Sequence, residues 1–486
     1  MPSPFPLTAA ALRRPAALGT LAAACLLAAG CASPGPAHRP LAATSPAALG
    51  LVNAASAPAA PQWWTALGDA QLNALVEQAL QGSPSLAVGR ARLARAQALA
   101  EATGTAAQPH ALLEADASRQ RYSANGLVPP PIAGNTWTSA NLQAGLNWSP
   151  DFFGQHAAEL AAAVGQARAA QADAAAAANA LAAQVSRSYV ALARLLAQRA
   201  VAERNLAQRS AMLQLTNERT QAGLDSQVEL TQAQVALPDV RTQIEALDEQ
   251  ITLARRQLAV LCGQAPDAQA QLAPQLQHLA LSDVPELLGA DLLGRRPDVV
   301  AARWRVEAAA QDVAVARTQF YPDINLSAFI GLNALGLNHL FNAGSRQIGV
   351  APALRLPLFD GTRLRAQLGG RQAELDAAIA QYNGALLDAV QEAGDAIASV
   401  QSLARQQALQ GEASAKSETA YDFAVQRYRA GLGNYLLVLN TESQLLAQRR
   451  LAVDLRARQL DTRVVLMKAL GGGWSDDTGS LETAAR

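Results

Sequence analysis

Lysine is nearly missing from this chain. Of 39 basic residues only Lys416 and Lys468 are lysines, and 39 acidic residues bring the formal net charge to zero. A nucleic-acid binder needs a basic excess to neutralise phosphates, so that class of partner is excluded. The five histidines, His38, His110, His156, His278 and His339, stand far apart, and the three cysteines, Cys25, Cys31 and Cys262, form no CxxC pair. Zinc ligation with ordinary local spacing is therefore excluded, and no other metal or cofactor motif occurs. No phosphate loop or nucleophile elbow supports an enzyme. Gly471-Gly472-Gly473 follows a helical segment rather than a strand and reads as a helix stop. Aromatic residues are only 4% of the chain, and proline is absent between Pro150 and Pro238 and after Pro357. What remains is 50% hydrophobic, mostly alanine and leucine. That composition forms helices and excludes a disordered chain.

The N-terminus has the layout of a secretory signal. Arg13 and Arg14 precede an apolar run from Ala16 to Ala29 that is too short to span a bilayer. The run ends in Leu27-Ala28-Ala29-Gly30-Cys31, which resembles a bacterial lipobox, with Cys31 as the residue cleaved before and acylated. Cys25 competes, but Gly30 and the longer apolar run favour Cys31. The plain alternative is an ordinary secretory signal with an incidental cysteine. Residues 1–30 are thus read as a signal peptide, and 31–61, rich in alanine and proline, as an acylated, extended tether. Several acyl chains anchor a protein stably. The lack of Asp after Cys31 fits sorting to the outer membrane.

Beyond the tether the chain is written twice. Pro84, Arg90, Thr105 and Pro109 recur as Pro297, Arg303, Thr318 and Pro322. Pro150, Phe152 and Gly154 recur as Pro357, Phe359 and Gly361. Arg219 and Ala222-Gly223-Leu224 recur as Arg427 and Ala430-Gly431-Leu432. The first repeat is assigned to 62–272, the second to 281–474, and a tail to 475–486. In each repeat a long proline-free stretch predicts a helix, about 154–221 and 361–429, roughly 100 Å at 1.5 Å per residue. A turn at Gly223 or Gly431 follows, then a returning helix, about 225–262 and 434–470. Each repeat is expected to hold an antiparallel pair of very long helices. Leu364, Leu368, Leu375, Ile379, Tyr382, Leu386, Val390, Ile397 and Val400 have the spacing of a coiled-coil seam.

Each repeat also has two segments of period two, about 110–122 and 138–149, then 322–331 and 346–358. Leu113, Leu142, Leu326 and Val350 lie on apolar faces, Asp116, Asn141, Asn325 and Gln347 on polar ones. Such strands fit an outer-membrane barrel, or else a half-buried soluble hairpin. Four strands cannot close a membrane barrel, and open edges in lipid leave backbone groups unpaired. On the membrane reading, several chains must combine.

These features together, with Trp63-Trp64, Leu293-Gly294-Arg295-Arg296-Pro297-Asp298 and Tyr428-Arg429-Ala430-Gly431, resemble the TolC-like outer-membrane efflux family. The closest likeness is to its lipoprotein branch, which serves resistance–nodulation–division (RND) pumps. The resemblance runs from Gln62 to Trp474. It implies a mainly α fold with a small β part, in which long helices form a periplasmic tunnel. Four strands per chain then build a twelve-stranded transmembrane barrel in a homotrimer. It implies a passive exit duct of a tripartite efflux system, with a periplasmic adaptor and an inner-membrane pump as partners. It implies no cofactor and no catalysis. Rival readings are the duct of a protein-secretion system and a structural periplasmic coiled-coil lipoprotein.

In that family the tunnel narrows where the long helices turn, here at Gly223 and Gly431. Family members often carry aspartates just past the second turn. Here those positions are Leu437 and Asn440, so a leucine constriction at Leu436 is expected, with Asp225 and Glu229 as alternative acids. Arg427 and Arg429 are expected to pair with acids that hold the tip closed.

Overall fold

The computed structural model describes residues 34–36, 38–45, 49, 60–281 and 295–475. Cys25, Cys31, the signal segment and the tail beyond 475 lie outside the described residues. The first repeat contains α1 (Ala70–Gly82), α2 (Pro84–Ala106), β1 (His110–Arg121), β2 (Thr136–Trp148), α3 (Gln155–Gln221) and α4 (Gln227–Leu261). The second contains α5 (Pro297–Thr318), β3 (Asp323–Leu335), β4 (Arg346–Arg355), α6 (Gly361–Arg429) and α7 (Tyr435–Ala469). No helix among the described residues is long and apolar enough to cross a membrane.

The two helices of each pair differ in length. α3 has 67 residues and α6 has 69, but their returning partners α4 and α7 have 35 each. The missing length is supplied by stacking. α4 ends at Gly263, whose φ of +70° is open to glycine, and a Cβ there would lie 2.3 Å from the Gly82 carbonyl oxygen. α4 therefore butts against the α1–α2 junction and continues into α2. α7 ends the same way at Gly471, where a Cβ would lie 2.8 Å from the Arg295 carbonyl oxygen, directly before α5. A returning helix of full length is unnecessary because two half-length helices share one column.

Arg296 fixes the second junction. It is 5% exposed and donates to the Ala469 carbonyl at the end of α7 (3.2 Å). It also pairs with Asp298 (2.7 Å) and with Glu392 of α6 (2.9 Å), which in turn binds Lys468 (2.9 Å). A buried guanidinium is tolerated because each edge has a partner. Burial opposes the Asp298 charge, but the Arg296 fork prevails and holds its carboxyl below the usual carboxylate range.

α3 packs against α2, α4, α5 and α7, and α6 packs against α5 and α7. The wall is thus four columns wide: α2 with α4, then α3, then α5 with α7, then α6. Alanine lets these columns approach closely. Gly165 of α3 faces Ala308 of α5 so tightly that a Cβ would lie 3.0 Å from the alanine methyl. On α6 the seam is buried at Leu364, Leu368, Leu375, Ile379 and Leu386, with Tyr382 partly so, but beyond it Ala389, Ala393, Ala396 and Leu403 are buried while Val390, Ile397 and Val400 are only partly so. The seam rotates by about one residue where α6 passes from α5 to α7. The largest core lies mid-wall, around Trp63, Trp64, Tyr189, Leu192, Leu258 and Leu460. There Asp69 caps α1 through Gln71 and Leu72 N–H groups and accepts from Tyr189 Oη (2.7 Å).

The four strands form one antiparallel meander in the order β1-β2-β3-β4, the same order as the helix columns. Each strand continues one column, so the sheet inherits its geometry from the wall below. The described part of the tether lies along α6. His38 pairs with Asp376 (3.0 Å), the Thr44 N–H donates to Asn383 (2.8 Å), and Leu49 packs against the cluster of Val299, Leu386 and Ala389.

Candidate functional site: the sheet and the helical tip

The ladder sorts the strand residues onto two faces. Leu113 is opposite Ala144, which is opposite Ile330, which is opposite Ile348. Leu142 opposite Leu332, and Leu326 opposite Pro352, continue that apolar face. It is bare to the surroundings: Leu113 is 73% and Ile348 79% exposed. An uncovered apolar sheet of this extent marks a surface made for lipid. The other face is a hydrogen-bonded polar net. Asn141 donates to Asp116 (3.1 Å), and Gln347 donates to Asn141 (2.9 Å) and Gln143 (3.0 Å). Both outer edges, on β1 and β4, are without a neighbouring strand among the described residues.

The far end of the wall holds two helix turns. Gly223 and Gly431 both adopt φ of +75°. Leu224 and Leu432 N–H groups reach back to the Arg219 and Arg427 carbonyls, both at 2.9 Å, which closes two Schellman turns. The next helices are capped by Ser226, in a capping box with Glu229, and by Asn434. Glu229 is thereby engaged locally, and its bonds with Ser226 lower its pKa.

Asp225 is not a free acid either. Arg219 grips it with two bonds (2.9 and 3.2 Å), and Tyr428 Oη also donates to it. Arg219 further donates to the Tyr428 carbonyl (3.1 Å) and lies over its ring at 4.6 Å. Tyr428 is fully buried and bonds Thr216 of α3 (3.1 Å). The Arg219 bonds hold the Asp225 carboxyl below its ordinary range. One cluster therefore ties α3, the start of α4 and the end of α6 together.

Arg427 and Arg429, expected to pair with acids, do not do so among the described residues. Both are exposed, and Arg427 donates to its own Leu432 carbonyl (3.2 Å). The reason lies in the repeat, since the residue matching Asp225 is Gly433, so the second turn has no acid. Arg219 takes the holding part. Its spacing from Asp225 across the turn was a usable signal, but the insertion of Tyr428 between them was not. A second pair, between half-buried Arg209 and buried Glu442 (3.3 Å), lies one level up, with Glu442 6% exposed and its pKa raised by burial.

On α7, Tyr435, Val438, Glu442 and Leu445 are buried. Leu436, Leu437 and Asn440 fall on the opposite, exposed side, Leu436 at 57% and Leu437 at 42%. The tip therefore offers two leucines and an amide, not an acidic row.

Comparison with known proteins fits this geometry. The family model described as outer membrane efflux protein matches the chain twice, over residues 75–264 and 288–472. The chain belongs to the outer membrane efflux protein family. This efflux protein is 31% identical over 423 residues to the multidrug resistance outer membrane protein MdtP of Escherichia coli K12, covering 85% of the chain and 86% of MdtP. It is also 31% identical over 421 residues to the putative multidrug resistance outer membrane protein MdtQ of the same organism, covering 85% and 88%. Among solved structures, the outer membrane protein VceC of Vibrio cholerae matches with a TM-score of 0.81 at 37% identity, covering 86% of this chain and all (100%) of VceC. The outer-membrane channel OprN matches at 0.80 with 26% identity, covering 91% and 100%. The efflux protein thus has the fold of the outer-membrane channels, a helical tunnel joined to a barrel sheet, and lies in the outer membrane. Its family is one of ducts, not of enzymes.

Proposed function

We propose that three copies of this efflux protein close a twelve-stranded barrel and a continuous helical tunnel. The homotrimer is the passive outer-membrane exit of a tripartite efflux system. It conducts small molecules, drugs and other toxic compounds, delivered by a periplasmic adaptor and an inner-membrane pump of the RND type. The observation that carries this reading is the open sheet. Its apolar face needs lipid, its two bare edges need partners, and its strands continue the helix columns one for one. Backbone groups in hydrocarbon must be paired, so only closure with further copies makes the sheet stable there. The multidrug resistance names of MdtP and MdtQ support drugs as cargo.

The gate is the tip. Leu436, with Leu437 and Asn440 beside it, faces away from the protomer's own packing and narrows the tunnel by crowding and dewetting. The Arg219–Asp225–Tyr428 cluster holds the two helix turns together. Cys31 carries the acyl anchor, and the tether bound along α6 leads up toward the membrane from His38. Deleting the gene from a drug-resistant host tests the whole reading. Restored drug tolerance on complementation, with a heat-resistant trimer and single channels in planar bilayers, is expected. A monomer without conductance overturns it. Acyl labelling that survives Cys31→Ser and disappears in Cys25→Ser overturns the anchor.

A further inference from the structure

The lipid-facing side of the sheet carries charge at one end only. Strand alternation puts Arg119 and Arg121 of β1, and Arg346 of β4, on the same face as Leu113 and Ile348. All three arginines are exposed, and their guanidinium groups form no hydrogen bond or ion pair among the described residues. They lie at the end of the sheet away from the helices, because β1 leaves α2 at His110 and β4 enters α6 beyond Arg355. No aspartate, glutamate or lysine occurs in residues 117–140 or 331–349. This end of the barrel therefore offers cations, on its lipid side, with no acid to balance them.

β1 and β4 are also the two bare edges. On the trimeric reading above, β4 of one chain pairs with β1 of the next. The repeat sets the register of that seam. His110 pairs with Asn147, and Asp323 with Arg355, so β1 maps to β3 at an offset of 213 and β2 to β4 at 208. The Ala140–Ala334 pair between β2 and β3 then becomes Ile348 opposite Arg121 at the seam. Arg346 and Arg121 are diagonal neighbours there, about 7–8 Å apart. Arg119 follows about 7 Å further along β1.

We propose that each of the three seams binds the phosphate of a phosphorylated glycolipid in the outer leaflet, through Arg346 of one chain and Arg121 and Arg119 of the next. Guanidinium forks match phosphate oxygens in bidentate fashion. Their aliphatic stems run along the apolar band while the heads reach headgroup level. Arginines at a lipid face are costly unless paired, and cations from two chains repel one another across a seam. A phosphate removes both penalties and bridges the chains. The inference rests on the trimeric channel reading.

Native mass spectrometry of the purified full-length protein tests it, with bis-phosphorylated lipid A, dephosphorylated lipid A and inorganic phosphate as probes. The wild-type trimer is expected to retain up to three bis-phosphorylated lipids. The Arg121→Gln/Arg346→Gln variant should bind them at least ten-fold more weakly, with trimer mass and conductance kept, while Arg405→Gln on α6 binds as wild type. Dephosphorylated lipid should bind wild type as weakly as the double variant, and millimolar inorganic phosphate should not displace the lipid. Equal retention by an intact double-variant trimer overturns the seam site alone, as does displacement by inorganic phosphate. A wild-type protein that is only monomeric overturns the channel reading and the seam with it.

Discussion

Replacing Asp225 with Asn probes the tip at its tightest point. The Asp225 and Arg219 side chains are 10% and 12% exposed, so solvent screens their interaction only in part. The change keeps the shape of the side chain but removes its charge, which strands the Arg219 fork beneath Tyr428. Charge-assisted bonds contribute about 1.5–3 kcal/mol each, and breaking one side of a buried pair costs about 3–5 kcal/mol. At the tip, with water close by, about 2–4 kcal/mol per protomer is expected. At 1.4 kcal/mol per decade, that shifts local opening by about 30- to 700-fold. Two assays read it: single-channel conductance in planar bilayers, and the rate of native-state tryptic cleavage at Arg427 and Arg429. Both should rise. Arg219→Gln should do the same, and the double variant should be little worse than either single one, since the pair acts as a unit. Additive effects would refute the idea that the pair is one lock, and unchanged conductance and cleavage in both single variants would refute the lock itself. The pH arm has a definite sign. The folded-state pKa of Asp225 is lowered, so its contribution is complete above the ordinary carboxylate value and is lost only as pH falls through the lower folded value. Acidification from pH 7 to 5 should therefore leave the wild-type tip shut.

Three further outcomes follow from the fold. Ile330→Arg, on the lipid face midway along β3, should cost about 2–4 kcal/mol and lower the trimer yield, whereas Asn325→Arg on the polar face should be mild, as a heat-resistance gel would report. Leu436→Ala should raise single-channel conductance, and Leu436→Asp should add cation selectivity. Unchanged conductance in both would move the constriction to Leu437 or Asn440. Gly263→Ala puts a methyl against the Gly82 carbonyl at a positive φ, and should lower the thermal unfolding midpoint more than Gly384→Ala, which meets nothing within 4 Å. Equal midpoints would mean that α4 does not butt tightly on α2.

Much of this protein is legible without coordinates because its signals are periodic. The absence of proline over long runs and the Ala-Gly-Leu turns give α3 and α6 to within a residue or two. Alternation in the 110–122 and 346–358 stretches gives strands and their faces, since a side chain on a strand has only two directions to take. The duplication gives the number of strands, and the number of strands compels more than one chain in a membrane. These are local properties, and the sequence carries them in full.

The rest depends on residues far apart meeting. Half-length helices stack into one column because Gly263 meets Gly82 and Gly471 meets Arg295, contacts that no period records. Arg296 reads as part of a family-like stretch in the sequence, but only the fold brings the Ala469 carbonyl and Glu392 to it. At the tip, local spacing nominates Arg427 and Asp225 equally well. The packing decides otherwise, because burying Tyr428 between the hairpins brings a hydroxyl and a carbonyl to the Arg219–Asp225 pair, while Gly433 leaves Arg427 with no acid to hold. Helical rotation is the physical reason: one residue turns a side chain by 100°, and which of Leu436, Leu437 and Tyr435 faces inward is fixed only by the helices packed around it.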